Sequence, residues 1–148
     1  MPEVHSELFI DAPVDRVYEL AQDIERLPEF LPNVERVTVQ RREEGKVLSE
    51  WVGRVPEFNR NIAWVEEDVW DEAARRCQFK CLSGDWDKYD GSWTFAEEGS
   101  GTRVVLDICY EYNVPLIGAL IKKLLQKLVA RSADETLEGL RQMAEEKE

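Results

Sequence analysis

Seven aromatic residues fall in period-two stretches through the middle of the chain: Trp51, Trp64, Trp70, Phe79, Tyr89, Trp93 and Phe95. Each offers a large apolar face, and Trp and Tyr add one N–H or O–H. That combination suits an amphipathic ring or an isoprenoid chain. The same residues can equally fill a core against a helix, so their types and spacing admit both uses. Polar chemistry is sparser. His5, the only histidine, sits near the start of the first predicted strand. Acid–base work would therefore fall to a carboxylate or a tyrosine. Glu66, Asp68, Asp107 and Glu111 lie in predicted strands beside apolar positions, where charged side chains are expected to face water. Tyr89, Tyr110 and Arg103 remain as candidates for polar contacts, and no catalytic pair is assigned.

Metal and cofactor chemistry find no support. Asp85-Trp86-Asp87-Lys88-Tyr89-Asp90-Gly91 opens like a calcium loop. Tyr89 in fifth place, Asp90 where glycine is required and Ala96 in twelfth place instead of Glu argue against it. Cys77, Cys81, Cys109 and His5 lack zinc-site spacing. No Gly-rich phosphate loop, nucleophile elbow or dinucleotide fingerprint occurs, so neither a metal nor a cofactor is expected.

The elements that must position these residues follow from hydrophobic period. Val4, Ser6, Leu8 and Ile10 alternate as an opening strand over Glu3–Asp11. Ala12-Pro13-Val14-Asp15 reads as a helix start, with Val14, Val17, Tyr18 and Ala21 on one apolar face. Pro28 and Pro32 limit Leu27–Pro32 to a second, very short helix or turn. From Val34 to Val114 the period is two, interrupted by Glu43-Glu44-Gly45-Lys46, Pro56–Asn59, Asp71–Ala74, Ser83-Gly84-Asp85 and Glu98–Gly101. Turns at that spacing imply an antiparallel meander of about six strands. Asn113-Val114-Pro115 fits the start of a last helix. Leu116, Ile117, Leu120, Ile121, Leu124, Leu125, Leu128 and Val129 then recur at three- and four-residue spacing, continued by Leu137, Leu140 and Met143. The pattern predicts about thirty helical residues, far above the ~11–12 average, with Gly139 weakening the last turns. A strand, two short helices, a run of strands and one long helix make an α+β domain, the sheet curving around the helix that covers it.

Composition bounds the partners. The 148 residues suit one domain, and apolar residues make up 43% of them. A net charge of −12 argues against nucleic acid, whose binders neutralise phosphates with Lys and Arg. Three cysteines and an N-terminus without a basic or apolar leader point to reduced thiols in the cytoplasm. Cys77 and Cys81, four apart in a predicted strand, would stand ~13 Å apart, too far for a disulfide. Val114–Ala130 is broken by Lys122, Lys123, Gln126 and Lys127, so stable membrane insertion is not expected. Lys123, Lys127 and Arg131 form a basic stripe on the last helix. It is expected to be a solvated face; the alternative is transient docking to an anionic membrane headgroup or an acidic partner protein.

Ile10-Asp11-Ala12-Pro13-Val14-Asp15-Arg16-Val17-Tyr18, the short Leu27–Pro32 segment, Tyr89-Asp90-Gly91-Ser92-Trp93-Thr94-Phe95, and Gly101-Thr102-Arg103-Val104 leading through Tyr110-Glu111 to the last helix occur in a telling order. In that order and spacing the chain resembles the START-like (SRPBCC, helix-grip) superfamily, and within it the polyketide cyclase/dehydrase and coenzyme Q-binding branch. The resemblance spans residues 1–148 as one domain. It implies a curved antiparallel sheet wrapped around the long C-terminal helix, with two short helices after the first strand. It also implies a cavity between sheet and helix for a hydrophobic ligand, with Leu124 at its ceiling. The expected ligand-binding residues are Trp51, Trp64, Phe79, Tyr89, Trp93 and Tyr110 from the sheet and Leu120, Leu124 and Leu128 from the helix. The expected function is to bind a lipid, quinone or polycyclic compound as carrier or chaperone. The alternatives are a polyketide cyclase or dehydratase, distinguished by convergent polar groups inside the cavity, and an interaction module with a vestigial cavity.

Overall fold

Hydrogen-bonded ladders replace the period-two patterns almost where the sequence predicts them. The computed structural model describes residues 3–31, 33–55, 60–112 and 119–145. β1 (Glu3–Ile10) is followed by α1 (Val14–Ala21) and a 3-10 helix (Ile24–Glu29). Then come β2 (Val34–Glu43), β3 (Lys46–Val55), β4 (Arg60–Asp71), β5 (Arg76–Gly84), β6 (Lys88–Glu98) and β7 (Gly101–Glu111). α2 (Ala119–Glu145) closes the order. All seven strands form one antiparallel sheet ordered β1-β7-β6-β5-β4-β3-β2. β2 to β7 are a meander, and β1 returns beside β7. Gly45 at φ 75° and Gly99 at φ 61° make the β2–β3 and β6–β7 turns, where a side chain would be strained.

α1 buries Val14, Val17, Tyr18 and Ala21, the predicted face. The 3-10 helix begins three residues earlier than the predicted Leu27 start and encloses Pro28. Ile24 and Leu27, three apart and therefore eclipsed in a 3-10 turn, are both buried and draw the turn forward. Pro32 and the predicted helix start at Asn113-Val114-Pro115 lie outside the described residues.

α2 lies against the concave face of the sheet. Leu125, Val129, Ala133, Leu137, Leu140 and Ala144 join the core with Ile10, Val17, Val104 and Leu106. Met143 packs in a second cluster with Ile24, Leu27, Leu31, Val37 and Val47. Gly139 has a positive use beyond weakening the helix: a Cβ there would stand 2.8 Å from Leu31 Cδ2 and 3.2 Å from the Phe30 carbonyl oxygen. Its lack of a side chain lets α2 and the end of the 3-10 helix approach closely.

Register fixes what the concave face carries. Trp51 faces Trp64 across β3–β4, Asp68 faces Phe79 across β4–β5, and Tyr89 faces Tyr110 across β6–β7. β2, at the sheet's edge, pairs with β3 through two register breaks and leaves Glu35, Arg36, Arg41 and Arg42 exposed.

Candidate ligand cavities

β4 places one side chain in two on the concave face: Ile62, Trp64, Glu66, Asp68 and Trp70. The period-two rule therefore carries Glu66 and Asp68 inward along with the rings. They are 6% and 3% exposed, contrary to the expectation that strand carboxylates face water. Asp107, on the outer face of β7, is exposed and hydrogen-bonds His5 at 2.5 Å.

Two cavities lie between this face and α2. The inner one, about 60 Å³, is walled by Trp51, Trp64, Trp70, Phe79, Tyr89 and Trp93. Glu66 and Asp68 line it from β4, and Ser132, Ala133 and Thr136 cover it from α2. The outer one, about 90 Å³, is enclosed by Ile62, Trp64, Trp86 and Tyr89 on one side and Leu125, Leu128 and Val129 on the other. Exposed Arg54 and Arg131 stand at its rim. Trp64, Tyr89 and Ser132 border both.

The rings are held in fixed relation. Trp51 and Trp64 stack at 5.9 Å with 9° between their planes. Tyr89 contacts Trp64 at 5.5 Å, Phe79 at 5.7 Å and Trp86 at 4.9 Å between ring centroids. Two indoles also spend their N–H groups here: Trp51 Nε1 donates to Ser49 Oγ at 2.9 Å and Trp64 Nε1 to Glu66 Oε1 at 3.1 Å.

The carboxyl pair is the strongest electrostatic feature. Burial, and then the neighbouring Asp68 carboxyl, push Glu66 well above the ordinary carboxylate range; burial raises Asp68 as well. Two desolvated carboxyls in hydrogen-bonding contact favour one shared proton, carried by Glu66 and donated to Asp68. Apart from that contact, Asp68 Oδ1 is buried without a partner. Burial and the Glu66 charge raise the Tyr89 phenol, which stays protonated, and burial with both carboxyls keeps the Cys77 thiol protonated. Such a site can exchange a proton with a bound group or take a hydrogen-bond donor.

Of the residues expected to bind ligand, Trp51, Trp64, Phe79, Tyr89 and Trp93 meet around the inner cavity and Leu128 borders the outer one. Tyr110 is 2% exposed, packed against Trp86 at 5.8 Å, and borders neither cavity. Leu124 is half-buried and also borders neither; Leu125 and Val129 take that place, about a quarter-turn around the helix. The side chain of Leu120 is outside the described residues. Arg103 pairs with Glu98 and lies over Phe9, away from both cavities. Sequence reasoning missed Trp86, which reads as part of the calcium-like loop, and missed Glu66 and Asp68. Their signal was their place in the Ile62–Trp70 alternation.

Lys123 and Lys127 are exposed, and Arg131 pairs with Glu135 at 3.8 Å. Among the described residues no group of three His, Cys, Asp or Glu side chains can hold a metal ion, and no helix is long and apolar enough to cross a membrane.

A family model described as polyketide cyclase/dehydrase and lipid transport matches residues 10–135. The crystal structure of TTHA0849 from Thermus thermophilus is similar at a TM-score of 0.92 and 41% identity, with 97% of each chain covered. The Zhui aromatase/cyclase from a Streptomyces species superposes at 0.88 with 18% identity, over 97% of this chain and 93% of that one. A STAR-related lipid transfer protein from Xanthomonas axonopodis superposes at 0.81 with 15% identity, over 97% of this chain and 86% of that one. The last two likenesses are of fold alone, and the architecture is the helix-grip fold. No curated protein matches the chain by sequence.

Proposed function

The chain belongs to the polyketide cyclase/dehydrase and lipid transport family, and on that premise we propose that it is a carrier for an apolar, ring-containing small molecule held between the sheet and α2. One observation carries this reading: two aromatic-lined cavities lie end to end with Trp64 and Tyr89 between them. A single benzene occupies a cavity of about 150 Å³, larger than either space here. A ring therefore enters by moving the Trp64–Tyr89 partition, which merges the two. The merged space, cavities of about 60 and 90 Å³ joined, takes one ring. A quinone with its tail, a polycyclic compound or a lipid chain, the ligands of the coenzyme Q-binding reading, enters as α2 and the sheet part further. Residues 1–148 acting as one cytoplasmic domain, with Lys123, Lys127 and Arg131 meeting an anionic surface during delivery, complete the reading.

The test is titration with the neutral fluorophore N-phenyl-1-naphthylamine, alongside native mass spectrometry of gently purified protein. Saturable one-to-one binding that quenches tryptophan emission is expected. Absence of both probe binding and a retained ligand would overturn it.

The buried Glu66–Asp68 pair supports a second reading, a cyclase or dehydratase. A protonated carboxyl beside a second carboxyl can give a proton to a ligand carbonyl and accept one from the adjacent carbon. Exchange of the α-protons of 2-tetralone in deuterated water tests it. Acceleration by the wild-type chain that disappears in Glu66→Gln supports this reading, and no acceleration rejects it.

A further inference from the structure

We propose that the inner cavity is a site for the ammonium group of an organic cation, a protonated primary or secondary amine whose apolar ring takes the space opened when the Trp64–Tyr89 partition moves, gripped by Glu66 and Asp68 and faced by the surrounding indoles. This rests on the carrier reading and adds the chemical class of the ligand.

Three observations converge. First, Asp68 is 3% exposed, lines the cavity, and its Oδ1 meets no hydrogen-bond donor apart from the Glu66 carboxyl. A buried acceptor left open is costly, so it calls for a donor. Second, among the described residues the side chains around the inner cavity include two carboxyls and no Lys, Arg or His. One proton shared between the carboxyls leaves a negative charge that no cation beside the cavity balances, a poor arrangement without a counter-charge. Third, Trp51, Trp64, Trp70 and Trp93 surround the same space. An indole face attracts a cation within about 6 Å of its centroid, most strongly when water is excluded.

An ammonium with N–H groups meets all three demands: it donates to Asp68 Oδ1, balances the charge and lies against the rings. A quaternary ammonium has no N–H to give, and a neutral hydroxyl leaves the charge unbalanced. The net charge of −12 also draws cations toward the molecule.

The experiment compares 2-phenylethylamine with its neutral counterpart 2-phenylethanol by calorimetric titration at pH 7. The amine is expected to bind at least about tenfold tighter, the scale of one charge-assisted hydrogen bond in a protein interior. In the Glu66→Gln/Asp68→Asn double variant the preference is expected to vanish. The single Asp68→Asn variant gives the same reading if the double variant does not fold. Equal affinities in the wild type, tighter binding of the alcohol, or a preference that survives Asp68→Asn overturns the proposal. N-phenyl-1-naphthylamine is titrated in parallel. Its binding without any amine preference overturns this inference alone, whereas its failure to bind counts against the carrier reading itself.

Discussion

Trp64 and Tyr89 meet at 5.5 Å between ring centroids, and that contact stands between the two cavities. Both rings border both spaces, so a change in either alters the connection between them. Trp64→Leu removes most of the partition along with the N–H that Glu66 accepts. N-phenyl-1-naphthylamine is expected to bind faster in stopped-flow fluorescence. Urea melts should show a loss of about 2–3 kcal/mol, below the ~3–5 kcal/mol of deleting a large ring to alanine, since leucine keeps part of the volume and Trp64 is half-buried. Slower probe entry would mean that the ring is a binding surface and not a barrier.

Leu128 and Leu124 separate a cavity wall from the side of a helix. Leu128 borders the outer cavity and Leu124 borders neither, although both are half-buried. Leu128→Trp should fill the space and weaken probe binding at least about tenfold while stability changes by less than about 1 kcal/mol, because the void takes up volume that in a closed core would cost about 1–3 kcal/mol. Leu124→Trp should leave probe binding unchanged. Equal effects at the two positions would place the ligand elsewhere on the helix.

The Glu66 carboxyl makes stability depend on pH in a defined direction. Its folded pKa is raised above the ordinary 4.5, so in the window above that value the folded chain holds a proton that the unfolded chain has released. Stability contributed by Glu66 is full at low pH and declines as pH rises through the folded pKa. Asp68, Tyr89, Cys77, Cys81 and Glu67 are its charged or titratable neighbours. Glu66→Gln should therefore gain on the wild type in urea melts between about pH 5 and pH 8. A difference between the two that stays flat across that range would mean that water reaches the carboxyl.

Gly139→Ala sets helix propensity against space. Alanine gains roughly 1 kcal/mol in a helix interior. Its Cβ, however, would stand 2.8 Å from Leu31 Cδ2 and 3.2 Å from both Cβ and O of Phe30. Overpacking costs about 1–3 kcal/mol, so a net loss near 1 kcal/mol is expected in urea melts. A net gain would show that the segment ending the 3-10 helix yields to α2.

The order of elements, the buried face of α1 and the period of every strand were legible because each depends on local spacing. The site was less so. Glu66 and Asp68 occupy the same alternation as Trp64 and Trp70, and charge favoured the wrong side of the strand over register. Leu124 and Leu125 both belong to the wide apolar face of α2; only the curvature of the sheet decides which one borders the cavity. Trp86 lies between β5 and β6, where a run of Asp residues hid an inward ring. In each case a long-range contact decided the outcome.

β2 has a consequence for the company this protein keeps. A strand with one unpaired flank is a template on which another chain can extend the sheet. Here that flank belongs to a strand with exposed Glu35, Arg36, Arg41 and Arg42 and a ladder broken twice within ten residues. Charge and irregular pairing both discourage a foreign strand from docking. Asn33 and Val34, which border the outer cavity, sit at the start of this same flank, and Asn33 is tied to α2 through Glu135 at 2.6 Å. The rim of the outer cavity is thus framed by a margin that discourages self-association, so the cavity can stay accessible in a crowded solution without seeding aggregates.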